Sequence, residues 1–206
     1  MEKLNPNQLQ DIFKDVRSAY RILALYQQRI LDTVKYVGNQ YGFSFQSGWS
    51  KFSNAASHGN RATIHKKWSW DWLTQYLYEF NMGALEVEQD KFYFKILHQA
   101  DTGFYDANEV HEITKLNIDQ FADAKKAQTR LFFIISKNEE GCPIKHILQD
   151  HLTKNNTNKI LNGNWLAKPY DISRFVNQES ADVVLTEFNA LCKDTFGIDL
   201  LSKNIS

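Results

Sequence analysis

Apolar side chains recur through Leu9, Phe13, Val16, Tyr20, Leu23, Ile30, Val34, Val37 and Tyr41 at alternating spacings of four and three, with Gln27 the one polar member of the series. That spacing is the seam of an amphipathic helix. It predicts a single helix over about residues 6–40, which at 1.5 Å per residue is roughly 50 Å long, more than the diameter of a compact domain of this size. Asn5 offers a capping side chain, and Pro6 falls at the first helical position, where its missing N–H costs nothing. Gly38 or Gly42 supplies the stop. Ile12, Ala19, Ile22 and Tyr26 widen the stripe beyond a strict seam, which favours a helix packed inside a globular core over a free two-stranded coiled coil. The alternative is a homodimer built on part of this helix, with Gln27 as the polar residue that sets its register.

Downstream the period changes. Phe43 and Phe45 alternate with polar residues as a short strand does, and 48–67 is a polar loop. From Ser69 to Phe80, Trp70, Leu73 and Leu77 share one face of a short helix, although the alternation of Trp68, Trp70 and Trp72 also suits a strand. Gly83–His98 reads as a β-hairpin turning at Gln89-Asp90, with Glu and Lys side chains paired on its outer face. Asn117–Ala127 suggests a short helix. Arg130–Ser136 (RLFFIIS) is apolar on both faces and therefore belongs in the middle of a sheet. A helix opened by Cys142-Pro143, a polar loop over 153–164 open to proteases, and an amphipathic helix over about 179–196 ended by Gly197 complete the chain. The expectation is one α+β domain over residues 1–206. Its long N-terminal and C-terminal helices pack on a small, mostly antiparallel sheet formed with short helices from residues 41–152.

With 43% hydrophobic and 14% aromatic residues the chain can bury a substantial core, and its formal net charge of +0 gives no overall pull toward nucleic acid or membrane. The start MEKLNPNQ has no apolar leader, and no apolar run reaches membrane-spanning length, so a soluble cytoplasmic protein with no membrane association is expected. Cys142 and Cys192 fit no metal-binding or redox spacing and read as reduced thiols. The wealth of Asn, Gln, Lys, Phe and Tyr resembles coding by an AT-rich bacterial or phage genome.

Three constellations carry candidate chemistry. Four of the five tryptophans fall between Trp49 and Trp72, where Trp49, Trp68 and Trp70 are interleaved with Arg61, His65 and Lys67. Flat aromatic faces beside cations are how proteins grip nucleotides or single-stranded nucleic acid. The competing reading puts the indoles in the core and the cations in a solvated loop. The stretch His98–Glu112 holds His98, Asp101, Asp106 and His111, ligand types a divalent metal ion of a hydrolase would use. Their spacing matches no metal motif, however, and Asp101-Thr102-Gly103 is ordinary turn chemistry. The segment Trp165–Phe175 presents Trp165, Tyr170 and Arg174, residue types enriched at binding hot spots.

No nucleophile, acid/base pair, phosphate loop or metal motif is present, and no cofactor is expected. The leading expectation is a non-enzymatic binding or regulatory protein. It would work through protein–protein contacts, with a partner or with itself as a homodimer, through Leu23, Gln27 and Ile30 of the helix seam and the Trp165–Tyr170–Arg174 surface. A nucleotide or single-stranded nucleic-acid binder and a metal-dependent hydrolase are the alternatives.

Overall fold

The computed structural model describes residues 5–54, 68–108, 114–141 and 151–202. Helix α1 runs Pro6–Tyr41, 36 residues. Its start is built as the sequence suggests: the Asn5 side chain accepts from the Gln8 N–H, the Gln8 side chain accepts from the Asn5 N–H, and Pro6 follows. Its end is Gly42, which takes a left-handed φ of 75° and returns its N–H to the last carbonyls.

Among the described residues, six strands form one sheet, antiparallel at every pairing, in the order β1-β2-β3-β4-β6-β5. They are β1 (Ser47–Ser50), β2 (Leu77–Val87), β3 (Asp90–Gln99), β4 (Arg130–Lys137), β5 (Ile160–Asn162) and β6 (Trp165–Asp171). With α2 (Gly103–Asn108) and α3 (Gln178–Phe196), this is the α+β architecture expected, with a long N-terminal helix and a C-terminal helix. Strand β4 lies between β3 and β6, and all but the last of its residues are buried, as its two-sided apolar run requires.

Alternation sends each strand's residues to two separate cores. On one face, Phe80, Phe94, Ile96, Leu131, Phe133 and Ile135 meet Ile30, Val34, Val37 and Tyr41 of α1 and Val184, Phe188 and Cys192 of α3. Phe133 is the hub, with the rings of Tyr170, Phe188, Phe175 and Phe94 centred 5.2–5.9 Å away. On the other face, Leu97, Phe132, Ile134 and Trp165 are covered by Phe52, Trp70 and Leu152, with Phe104 and Phe121 packed against them.

Several local expectations changed. The expected helix over 69–80 is two short 3-10 turns, Ser69–Trp72 and Thr74–Tyr76, after which the chain enters β2 at Leu77. The hairpin is longer than expected and turns one residue earlier. Val87 pairs with Asp90 across Glu88-Gln89, with Glu88 at φ 58°, and this register sets Glu86 opposite Lys91. Between Asn81 and Ala84 the strand bulges, so that Met82 and Gly83 both face Phe94, and Gly83 takes the positive φ of 83° that the bulge needs. The expected helix over 117–127 shrinks to a 3-10 turn at Ile118–Gln120. Residues 160–162 of the expected polar loop form edge strand β5, and the first edge is Ser47–Ser50, just past Phe45. The expected helix opening at Cys142-Pro143 falls on residues 142–150, outside the described residues.

Candidate functional site

The long helix divides into two halves with different surroundings. From Ile30 to Tyr41 its seam is sealed: Ile30, Val37 and Tyr41 have no exposed surface. Polar ties lock this half to the body of the fold. The Arg29 guanidinium donates to the carbonyls of Phe175 (2.7 Å) and Val176 (2.9 Å), the Tyr36 hydroxyl donates to Asp182 of α3, and the Tyr41 hydroxyl donates to the Leu185 carbonyl (2.7 Å). Nearer the N-terminus the Tyr26 hydroxyl lies 2.5 Å from His98 Nε2 on β3.

Beyond Leu23 the helix leaves the sheet behind. Every residue from Asn5 to Ile22 is exposed, yet the apolar stripe continues in phase: Leu9 is 40% exposed, Phe13 51% and Tyr20 70%, with Ile12 and Val16 between them. This arm, about residues 6–25, is close to 30 Å long at the helical rise. A contiguous apolar stripe on that scale is what soluble monomers avoid and what interaction sites use. The arm's helix rests on its Asn5–Gln8 capping box and on local propensity. Its β-branched and aromatic side chains are moderate helix formers, and a helix of this length without tertiary contacts is marginal in water. Of the helix residues singled out from the sequence, Leu23 and Gln27 are half-buried where arm meets body, while Ile30 belongs to the chain's own core.

The other candidate residues are distributed through the structure. Trp70 is 7% exposed; its indole N–H donates to the Lys115 carbonyl (2.7 Å), and its ring lies nearly parallel to Phe121. Trp68 is half-buried, whereas Trp49 on β1 is half-exposed with the Lys51 ammonium 5.7 Å from its ring. Arg61, His65 and Lys67 lie outside the described residues. Among the metal-ligand types, His98 is completely buried against Tyr26. Asp101 accepts from the Gly103 N–H (2.7 Å), and Asp106 accepts from the Thr102 hydroxyl and the Lys154 N–H, both at 2.7 Å. His111 lies outside the described residues. Among the described residues, no group of three or more His, Cys, Asp or Glu side chains is placed to hold a metal ion. Trp165 and Tyr170 point to opposite faces of β6, each into its own core, and Trp165 donates to Glu139 (2.5 Å). Arg174 at the rim lies over the Tyr170 ring and pairs with Glu187 at 2.9 Å.

Of the buried charged groups that the sequence did not signal, Arg130 and Glu79 are the least exposed. Arg130, 1% exposed, spends all five of its N–H donors: two on Gln99 Oε1, and three on the carbonyls of His151, Thr153 and Asn156. Burial lowers its pKa to about 10, against the pull of Asp106 and Asp171. No donor is left for a ligand, so Arg130 is an anchor for the 151–156 segment. Glu79, 1% exposed, sits between Lys51 (3.0 Å) and Lys95 (3.1 Å) on the same face of the sheet.

Among the described residues, hollows open on the α1/β2 flank. One, of about 350 Å³, is apolar and lined by Leu31, Val34, Phe43, Phe45, Phe80 and Met82. Another, of about 760 Å³, is polar and opens beside the β2 bulge, with Gln46, Asn81, Glu86, Lys91 and Tyr93 on its walls. Glu140 shares the wall of the polar hollow with Glu86 and Lys91.

Fold and surface together define an α+β protein whose long first helix extends past its own core as an apolar arm. The chain belongs to the PM0109 family, whose model matches residues 6–198, arm included. No curated protein and no solved structure matches it. No helix among the described residues is long and apolar enough to cross a membrane.

Proposed function

We propose that this is a binding or regulatory protein of the bacterial or phage cytoplasm, non-enzymatic in role, that acts through protein–protein contacts made by the arm of α1. The supporting observation is the stripe Leu9, Ile12, Phe13, Val16 and Tyr20, 40–70% exposed on a helix whose seam is buried from Ile30 to Tyr41. An amphipathic helix presenting anchors at these spacings is a recurrent recognition element for a second helix or a groove. The test is affinity capture from the native host with the intact chain and with the double variant Phe13→Asp, Tyr20→Asp. Protein retained by the intact chain, whether a second copy or another polypeptide, should be lost with the variant. Identical retained sets would sink the reading.

A second reading is favoured by one observation, the half-exposed Trp49 with Lys51 beside it and Trp72 57% exposed. These indoles offer stacking faces for bases. On this reading Trp49→Ala and Trp72→Ala weaken binding of a fluorescent single-stranded oligonucleotide several-fold. Oligonucleotide binding that is undetectable in the intact chain rejects it.

A further inference from the structure

We propose that the apolar hollow between α1 and β2 binds a small monocarboxylate with an aromatic body, its carboxylate held at the rim by Lys35 and Asn39. The site lies on the body half of α1 and is independent of the arm and of what the arm binds. Three features of the molecule support it.

The first is a fixed shape. The hollow holds about 350 Å³, inside the range of roughly 300–1,000 Å³ that small-molecule sites occupy. Its floor is Val34, Phe43, Phe80 and Met82, each 2–4% exposed, while Leu31 and Phe45 beside it are 42% and 55% exposed. The walls are pinned. The Phe43 N–H donates to the Gly38 carbonyl (2.8 Å), the Phe43 ring is centred 5.2 Å from that of Phe94, and the Phe45 ring stands edge-on to Phe80 at 6.2 Å. The tip of Met82 rests on the helix where Gly38 has no side chain. Walls held in this way do not collapse over their own apolar surface, so a ligand that fills the hollow gains its burial with little reorganisation.

The second is the chemistry of the rim. Lys35 and Asn39 stand one turn apart on α1, and both line the hollow. Among the described residues no carboxylate lines it, and Lys35 has no ion pair. The carboxylate one turn back, Asp32, accepts from Gln28 Nε2 (2.9 Å). An ammonium beside a side-chain amide supplies the donors that a ligand carboxylate accepts from.

The third is the kind of anion that fits. The rim overlooks the last two turns of α1, which ends at Tyr41, and the partial negative charge of the helix's terminal carbonyls opposes a second charge on the ligand. A single ammonium without an arginine fork suits a carboxylate better than a phosphate. The rings of Phe43, Phe45 and Phe80 favour an aromatic body, which packs against them edge-to-face or offset.

The experiment is a titration of the full chain with phenylbutyrate, and with phenylbutanol as its uncharged counterpart. Met82 is one of two methionines in the chain and lines the hollow, so its isotope-labelled methyl signal, identified by its loss in Met82→Leu, is the reporter. That signal should shift saturably with phenylbutyrate. Lys35→Met should weaken phenylbutyrate about five-fold, the upper value for an ion pair open to solvent, and leave phenylbutanol unchanged. Phe45→Ala should weaken both ligands several-fold while the buried Cys192 stays unreactive, which shows that the core is intact. A Met82 signal that does not respond to phenylbutyrate overturns the proposal. Phenylbutanol bound as tightly as phenylbutyrate, with Lys35→Met without effect, overturns the carboxylate. Affinities unchanged in Phe45→Ala overturn the hollow as the site.

Discussion

His98 lies under α1 with none of its surface exposed, and burial pushes its pKa down to about 4, a backbone contact with Gln75 offsetting only part of the effect. An unfolded imidazole titrates near 6.5. Between those values the unfolded chain binds more protons than the folded one, so the stability present above about pH 6.5 is lost as the pH falls toward 4. The slope approaches about 1.4 kcal/mol per pH unit, on the order of 3 kcal/mol in all. Urea midpoints measured at about pH 7.5 and about pH 5 should differ accordingly, and His98→Gln should remove most of the difference. Arg130 gives a second prediction. Arg130→Met leaves the carbonyls of His151, Thr153 and Asn156 without their donor and should cost about 3 kcal/mol or more, read as a lower urea midpoint. Neither role was legible along the chain. In sequence, Arg130 is the first residue of a strand and His98 one of a loose set of metal-ligand types. What each does depends on groups at least 21 residues away that only the fold brings near.

At the scale of elements, legibility follows how local the determinants are. Asn5 with Pro6, Gly42 and Gly197 stand as caps where the sequence put them, and Asn177, not singled out from the sequence, caps the start of α3. A cap is satisfied by residues three or four positions away, so sequence proximity suffices. The segment 69–80 behaved differently. Its helical spacing was real, but Leu77 onward gains a ladder on both sides, from β1 and β3, which outweighs a weak local preference. Within α1, Gly38 marks the half that packs closely. A Cβ there would lie 2.5 Å from Met82 Cε and 3.0 Å from the Phe43 carbonyl oxygen, and the backbone carbonyl cannot yield as a methionine tip can. Gly38→Ala is therefore expected to destabilise the fold by about 1–3 kcal/mol despite the gain in helix propensity, measurable as a drop in Tm. Ser18→Ala, on the exposed arm, should leave Tm nearly unchanged.

For the whole molecule, the division of α1 makes a contrasting pair of predictions. Ile30→Asp puts a charge where no surface is exposed and should prevent folding, visible as loss of the near-ultraviolet dichroism of the packed aromatic rings. Phe13→Asp, half-exposed on the arm, should leave that spectrum intact. Cys192 should resist thiol reagents until the core opens, because burial pushes its thiol far above the range in which a reactive thiolate forms.

The sequence by itself determined the long helix and its caps, the two-sided central strand, the capped C-terminal helix and hence the α+β class. Each of these is written in periodicities and end signals that neighbouring residues read. Only the tertiary structure decided that one continuous seam is core over Ile30–Tyr41 and surface over Leu9–Tyr20. It also decided that Trp70, Trp165 and Tyr170 are packing residues, and that Arg130 and Glu79 are buried. The physical reason is that an apolar stripe specifies that it must be covered, not what covers it. Where the sheet ends, the same pattern that fills the core of one chain becomes an unfilled face.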